Sequence, residues 1–408
     1  MKRSFKTPIA YSLFTLISLW LSITAPAGTT LFSFNAGREL FAIPDFAIPV
    51  AGSSWVIFAI AAGATGFSWW FALQRKKTPL WLTAVFAFFL VQQILIVMFV
   101  GQMFPITTTL QGSLALAVPL IFGALAGVLS ERVGVVNIAI EGQLLAGAFA
   151  SALVTSITHS LTLGLIAAAI SGAAVAGVLA IFSIKYVVDQ IIVGVVVNVL
   201  VIGLTSFFYS TVMARDLIAL NQPERFTQLD IPLLSQIPII GPLLFSQTLI
   251  VYLMYLSVAV VYIALFKTRW GLRLRAVGEY PKAADTVGIK VYRTRYISVM
   301  LGGALAGIGG AFFTLGAVGS FSKEMTSGAG YIALAALIFG RWNPILATLA
   351  ALMFGFAQNL QSVLSIIGSD VPSQFLLMLP YALTVVAVAG LVGKVSGPAA
   401  TGKPYIKS

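Results

Sequence analysis

The sequence predicts an all-α fold: a polytopic integral membrane helical bundle of about twelve spans, some of them broken or re-entrant. Three observations support this. Of 408 residues, 59 % are hydrophobic and 9 % charged, whereas a water-soluble domain of this length needs a polar shell. Apolar runs of roughly 20 residues, the length that crosses the hydrocarbon core as a helix, recur along the chain. The basic residues also fall on one side of the resulting topology.

The spans read as roughly 8–24, 52–73, 79–100, 107–129, 136–157, 162–184, 189–213, 247–266, 296–318, 327–340, 344–366 and 374–392. With the N-terminus inside, only Arg38, Arg215, Arg225 and Lys323 of the 24 Lys and Arg lie on the outer side. That asymmetry orients the set, and an even number of spans returns the C-terminus to the cytoplasm. The net charge of +12 is therefore topological, which argues for membrane lipids and against nucleic acid as partners. The opening "MKRSFK", its apolar run and "APAG" also have the form of a signal peptide; the reading here is an uncleaved anchor.

Several chemistries are excluded. There is no cysteine and one histidine, His159, so disulfides and Cys- or His-based metal sites fall away. No GxxxxGK[ST] loop is present to bind ATP, nor an HExxH, GxSxG or filter-like motif. This predicts no cofactor in this chain and no enzymatic activity of its own.

Two polar segments interrupt the spans. The outer loop 214–246 contains Pro223, Pro232, Pro238 and Pro242 and reads either as a cap or as a decorated connector. In the inner loop 267–295, Pro281 can open a helix and Gly288 can close it. That leaves about two turns, with Ala283 and Ala284 inside and Lys282 and Asp285 available to a partner. The rival reading is a basic loop held to anionic lipid through its arginines, although that does not call for a bounded helix. Small residues four apart, Gly123 with Gly127 and Gly303 with Gly307, predict close helix packing.

Polar side chains inside spans are costly unless paired or facing a cavity. Gln190, Gly194 and Asn198 share one face of the seventh span, with Asp189 at its start. Asn137 and Glu141 stand four apart in "ERVGVVNIAIEGQLL", and Gln358 and Asn359 sit on the eleventh span. Such groups either join helices by hydrogen bonds or line a polar path, and as a set they favour a path. "GSFSKEMTSGAGYIALAAL", which includes Ser320, places glycines and hydroxyls before a short apolar run, as a broken helix would. The substrate-path candidates are therefore Asn137, Glu141, Gln190, Asn198, Ser320, Gln358 and Asn359. The stretch around Asn137 and Glu141 reads as a broken or re-entrant start to the fifth span. Whether Glu141 touches substrate or braces the break stays open at this point.

"SERVGVVNIAIEGQLLAGAF", residues 130–149, resembles a signature of bacterial ATP-binding-cassette (ABC) importer permeases. The likeness is to their nucleoside and simple-sugar branch, within the branched-chain amino acid/ribose permease superfamily. The run from "GLRLRAVGEYPKAADTVGIK" to "LIFGRWNP", 271–344, is similar to the same family. Ala139 departs from its usual glycine. The resemblance implies a permease core at 104–395, preceded by a three-span extension at 1–103 and followed by a cytoplasmic tail at 396–408. It also implies the bacterial inner membrane and a second permease subunit, of paralogous type. Two cytoplasmic ATPases would bind ATP and Mg, and an extracytoplasmic lipoprotein would deliver nucleoside or sugar. Pro281–Gly288 would be the helix that docks on the ATPase, involving Lys282, Ala283, Ala284 and Asp285 and flanked by Arg275 and Glu279. Alternating access would then follow ATP-driven movement of that helix. Alternatives are a permease for branched-chain amino acids or pentoses, and, from another class, an ion-coupled secondary transporter using Glu141 or Asp189.

Overall fold

A computed structural model describes residues 5–37, 39–367, 378 and 397–407. Among them, ten helices are long and apolar enough to cross a membrane, and one further apolar helix is shorter. The chain is thus a multi-span helical membrane protein, and it divides into two compact units. The twelfth expected span, 374–392, lies outside the described residues.

The first unit takes residues 1–111, 231–245 and 360–393. It contains α1 (Lys6–Ile23), α2 (Val50–Leu73) and α3 (Leu80–Met98). Pro49 and Pro79 stand immediately before α2 and α3, where a residue without an N–H costs no helical hydrogen bond. Tyr11 stacks on Phe86 at 4.1 Å, and Gln93 donates to the Ser18 carbonyl (3.0 Å) and to Ser22 Oγ (2.9 Å). Interhelical polar contacts of this kind hold helices together where lipid removes the hydrophobic drive. An addition to the all-α expectation is a small sheet of β1 (Thr29–Ser33), β2 (Phe46–Pro49) and β3 (Met103–Pro105). Its order is β2-β1-β3, antiparallel in the first pair and parallel in the second.

The second unit takes 112–230, 246–359 and 394–408. Its helices begin with α4 (Ile106–Glu131), which starts in the first unit, then α5 (Ile140–Thr158), α6 (Leu161–Ala180) and α7 (Gln190–Thr211). The loop after α7 holds the four-residue α8 (Leu217–Leu220) and β4 (Gln228–Asp230), which pairs antiparallel with β5 (Ser246–Thr248). The segment expected as an outer loop is therefore folded. There follow α9 (Leu249–Lys267), α10 (Arg269–Glu279), α11 (Pro281–Thr286), α12 (Val291–Ala311), α13 (Ala329–Phe339) and α14 (Pro344–Ile367).

Glycines set the packing. A Cβ on Gly307 would stand 2.0 Å from the Ala168 carbonyl of α6, and one on Gly303 2.3 Å from Ala176 Cβ. On the other flank of α12, a Cβ on Gly310 would stand 1.9 Å from the Leu144 carbonyl of α5. The small-residue row therefore lets three backbones approach closely. Two boundaries differ from expectation. The ninth span begins at Val291, and the fifth at Ile140 rather than 136, so Asn137 and Glu141 do not share a helical face.

Candidate functional site: two helix N-termini meeting at Glu141

Helix α4 ends at Glu131, and the chain stays non-helical until α5 begins at Ile140. Gly134 turns the chain at φ +84°, a conformation that glycine adopts without steric cost. Ile140 packs beside Gly123 and Gly127, so α5 starts about 6–12 Å back from the end of α4. The chain climbs alongside α4 before its helix resumes. The expected re-entrant start is present.

Helix α13 has 11 residues, or about 16 Å, roughly half the hydrocarbon thickness. It runs in the direction of α4: Ala333 faces Gly123 and Leu337 faces Gly127, each 2.7 Å from where a Cβ would stand. Its first turn meets that of α5 so closely that a Cβ on Gly330 would lie 2.4 Å from the Glu141 nitrogen. Two helix N-termini, each a partial positive pole with unpaired N–H groups, therefore face one another. The Glu141 carboxylate answers both features. Its Oε1 accepts from Thr326 Oγ1 (2.6 Å) and the Gly328 N–H (2.9 Å), and its Oε2 accepts from the Gly330 N–H (2.6 Å).

The far end of α13 is held from the same stretch. Arg341 and Trp342 turn the chain at φ +53° and +54°, strained values for such side chains. Trp342 Nε1 donates to Glu131 Oε2 (2.5 Å), and Arg132 Nε donates to the Trp342 carbonyl (3.0 Å). Both carboxylates of "ERVGVVNIAIE" thus clamp one short helix, one at each end.

The polar face of α7 closes on the break. Gln190 Oε1 accepts from the Val136 N–H (2.7 Å), and Gly194 lies against Ile138. Asn198 Oδ1 accepts from the Gly142 N–H (2.8 Å), while its Nδ2 donates to the Ile138 carbonyl (2.9 Å) and Tyr331 Oη (3.2 Å). Asn137 exchanges amide hydrogen bonds with Gln143 and donates to Ser130 Oγ. Asp189 caps α7 through the Ile191 N–H.

The structure therefore brings together four of the path candidates, Asn137, Glu141, Gln190 and Asn198, all buried. They use their hydrogen-bonding atoms on backbone around the break and on the side chains of Ser130, Gln143, Thr326 and Tyr331, and so brace the break. Ser320 stands apart, half-buried and with no hydrogen bond among the described residues. Asn359 donates to Ser113 of α4 (3.3 Å), 17 residues and about 26 Å along that helix from Ser130. Gln358, its neighbour on α14, belongs to that same separate region.

The expected two-turn helix is α11, with Pro281 at its first position. Gly288, at φ +83°, closes it: its N–H donates to the Asp285 carbonyl and the Ile289 N–H to that of Ala284, a Schellman closure. Ala284 is 3 % exposed and seats the helix, whereas Tyr280, Lys282, Ala283 and Val287 face outward. Asp285 lies 3.9 Å from Lys407. The Ala284 methyl is covered by its own chain, so the exposed face of α11 is formed by its neighbours.

Helix α10 reaches the break directly: a Cβ on Gly278 would stand 2.1 Å from the Arg132 carbonyl. Arg275 and Arg132 both lie over the Phe266 ring, at 5.3 and 5.6 Å. Burial, and then Arg275, pull the Arg132 guanidinium below its ordinary pKa, and Glu279 opposes this. Sequence reasoning missed Glu131, Thr326, Tyr331 and Trp342, which carry no periodic signal and acquire partners only in three dimensions. It also missed Arg295, 1 % exposed, whose Nε and Nη2 have no partner among the described residues.

Residues 109–388 match the family described as branched-chain amino acid transport system / permease component. The chain belongs to this family. It is 42 % identical over 314 residues to the guanosine ABC transporter permease protein NupQ of Bacillus subtilis, covering 72 % of this chain and 95 % of that one. To the nucleoside ABC transporter permease protein NupC of Lactococcus lactis it is 41 % identical, covering 71 % of this chain and 94 % of the other. A putative glucose ABC transporter permease protein of Haloferax volcanii, TsgC13, is 34 % identical over 62 % of this chain and 76 % of its own length. Bacillus subtilis and Lactococcus lactis each contribute a second, more distant permease of the same named type, at 26 % and 25 % identity. No solved structure matches the chain. The chain is thus a permease component of a transport system, and the junction of α5 with the clamped α13 lies within its family-matched region.

Proposed function

We propose that this permease carries nucleosides, purine nucleosides such as guanosine among them, inward across the bacterial cytoplasmic membrane as one subunit of an ATP-driven importer. The observation that carries this is the 41–42 % identity to two nucleoside permeases, spanning 94–95 % of their lengths. The glucose relative is less similar and covers less of the chain. A paralogous second permease completes the pathway, in keeping with the second permease matched in each of two organisms. An extracytoplasmic lipoprotein delivers substrate, and partner ATPases hold ATP and Mg. Both termini face the cytoplasm, following the basic residues.

In this orientation α11 presents Lys282, Ala283 and Val287 to the ATPase. Movement of α11 passes through α10 and Gly278 to Arg132, and so to the break that holds α13. The short helix α13, locked to the start of α5 at a shared N-terminal junction, forms a discrete element that alternating access can displace as a unit. The test is uptake of labelled guanosine by proteoliposomes containing the complete transporter, with ATP inside and binding protein outside. Competition by unlabelled nucleosides but not by glucose is expected. Competition by glucose alone would overturn the substrate reading.

A further inference from the structure

Segment 397–407 lies across the two functional regions of the permease and touches both. The Ala400 N–H donates to the Gly278 carbonyl at the end of α10 (2.9 Å), and the Gly402 N–H to the Gly134 carbonyl in the break (3.3 Å). The Ala399 N–H donates to Glu279 Oε2 (3.3 Å). Further on, Tyr292 Oη of α12 donates to the Tyr405 carbonyl (3.2 Å), and the two rings stand 5.4 Å apart. Tyr405 is buried and Lys407 approaches Asp285 of α11 at 3.9 Å. At the other end, a Cβ on Gly397 would stand 2.9 Å from the Trp342 ring, the residue that Glu131 clamps.

Glycines make this seating specific. Gly134 has no room for a methyl: the Ala400 carbonyl and Arg295 Nη2 converge on it, 2.9 and 3.0 Å from the Cβ position. Backbone hydrogen bonds to two separate elements, made by residues only two apart, leave little slack between them.

We propose that segment 397–407 is a coupling tie. It joins α10–α11 to the α4–α5 break, so that displacement of the ATPase-facing helix is delivered to the junction of α5 and α13 rather than lost at the packing contact between Gly278 and Arg132. The inference rests on the reading of α11 as the ATPase contact. Deletion of 397–408, and separately Ala400→Pro, which removes the donor to Gly278, test it in the complete reconstituted transporter. Val287→Asp on the outward face of α11 serves as the reference. Uptake per ATP hydrolysed is expected to fall at least about fivefold in both segment variants, the lower range of ordinary coupling energies, with hydrolysis retained. An unchanged ratio in Ala400→Pro, while Val287→Asp lowers it, overturns the tie. An unchanged ratio in Val287→Asp overturns the underlying reading of α11 instead. Because the chain has no cysteine, Tyr292→Cys with Tyr405→Cys, bridged by a short bifunctional thiol reagent, keeps the segment docked. Transport that survives this bridge supports a tie; transport abolished by it shows that the segment must leave, and overturns the proposal.

Discussion

Replacement of Glu141 distinguishes a bracing carboxylate from one that meets substrate or carries a proton. Its two oxygens accept three hydrogen bonds, two of them from the Gly328 and Gly330 N–H groups at the start of α13. Glu141→Ala leaves the buried Gly330 donor and the half-buried Gly328 donor without acceptors, while the Thr326 hydroxyl can rotate to another partner. At about 1–3 kcal/mol for each orphaned group, the loss is on the order of 2–6 kcal/mol. Glu141→Gln keeps one acceptor oxygen for Thr326 and Gly328 but sets an amide N–H against that of Gly330. It therefore costs about 1–3 kcal/mol, roughly one orphaned donor. The assay is thermal unfolding of the purified complex in detergent, paired with uptake per folded transporter. The midpoint is expected to fall in the order wild type, Gln, Ala, with uptake lost in the same order. A Glu141→Gln protein that unfolds like wild type yet no longer transports would refute the reasoning, and would point to a carboxylate acting on substrate or proton.

Four further outcomes follow from the same geometry. Gly330→Ala puts a methyl 2.4 Å from the Glu141 nitrogen, so it should cost about 1–3 kcal/mol of stability through overpacking, read as a lower unfolding midpoint. Trp342→Phe keeps an aromatic side chain, though a smaller one, and removes the donor to Glu131; at least about 1–3 kcal/mol should be lost, read by the same unfolding assay. Ala284→Asp buries a carboxylate, because Ala284 is 3 % exposed, and should reduce the yield of folded protein. Val287→Asp, at a 75 % exposed position, should leave unfolding unchanged and lower uptake per ATP hydrolysed.

Much of the arrangement was legible in the residues. The Pro281 and Gly288 boundaries of α11 rest on local backbone rules, one residue lacking an N–H and one tolerating positive φ, and such rules need no tertiary partner. The i, i+4, i+8 face of Gln190, Gly194 and Asn198 could likewise be placed from helical geometry alone. The pairing of Asn137 with Glu141 failed because it assumed a helix through residues that climb as a non-helical strand of chain beside α4. The choice between path and brace for the polar residues was beyond the sequence, since it depends on whether backbone donors lie within reach.

Composition and periodicity by themselves determined that this chain crosses a membrane many times, where two spans are interrupted, and which small residues bring helices together. These properties are set by transfer of side chains into lipid and by local backbone preference, which act residue by residue. Tertiary structure alone decided that Glu131 and Glu141, ten positions apart, grip opposite ends of one helix nearly two hundred residues away, and that segment 397–407 reaches both functional regions. Those outcomes depend on which unpaired N–H groups and which glycine surfaces face one another after packing, and no local pattern encodes that.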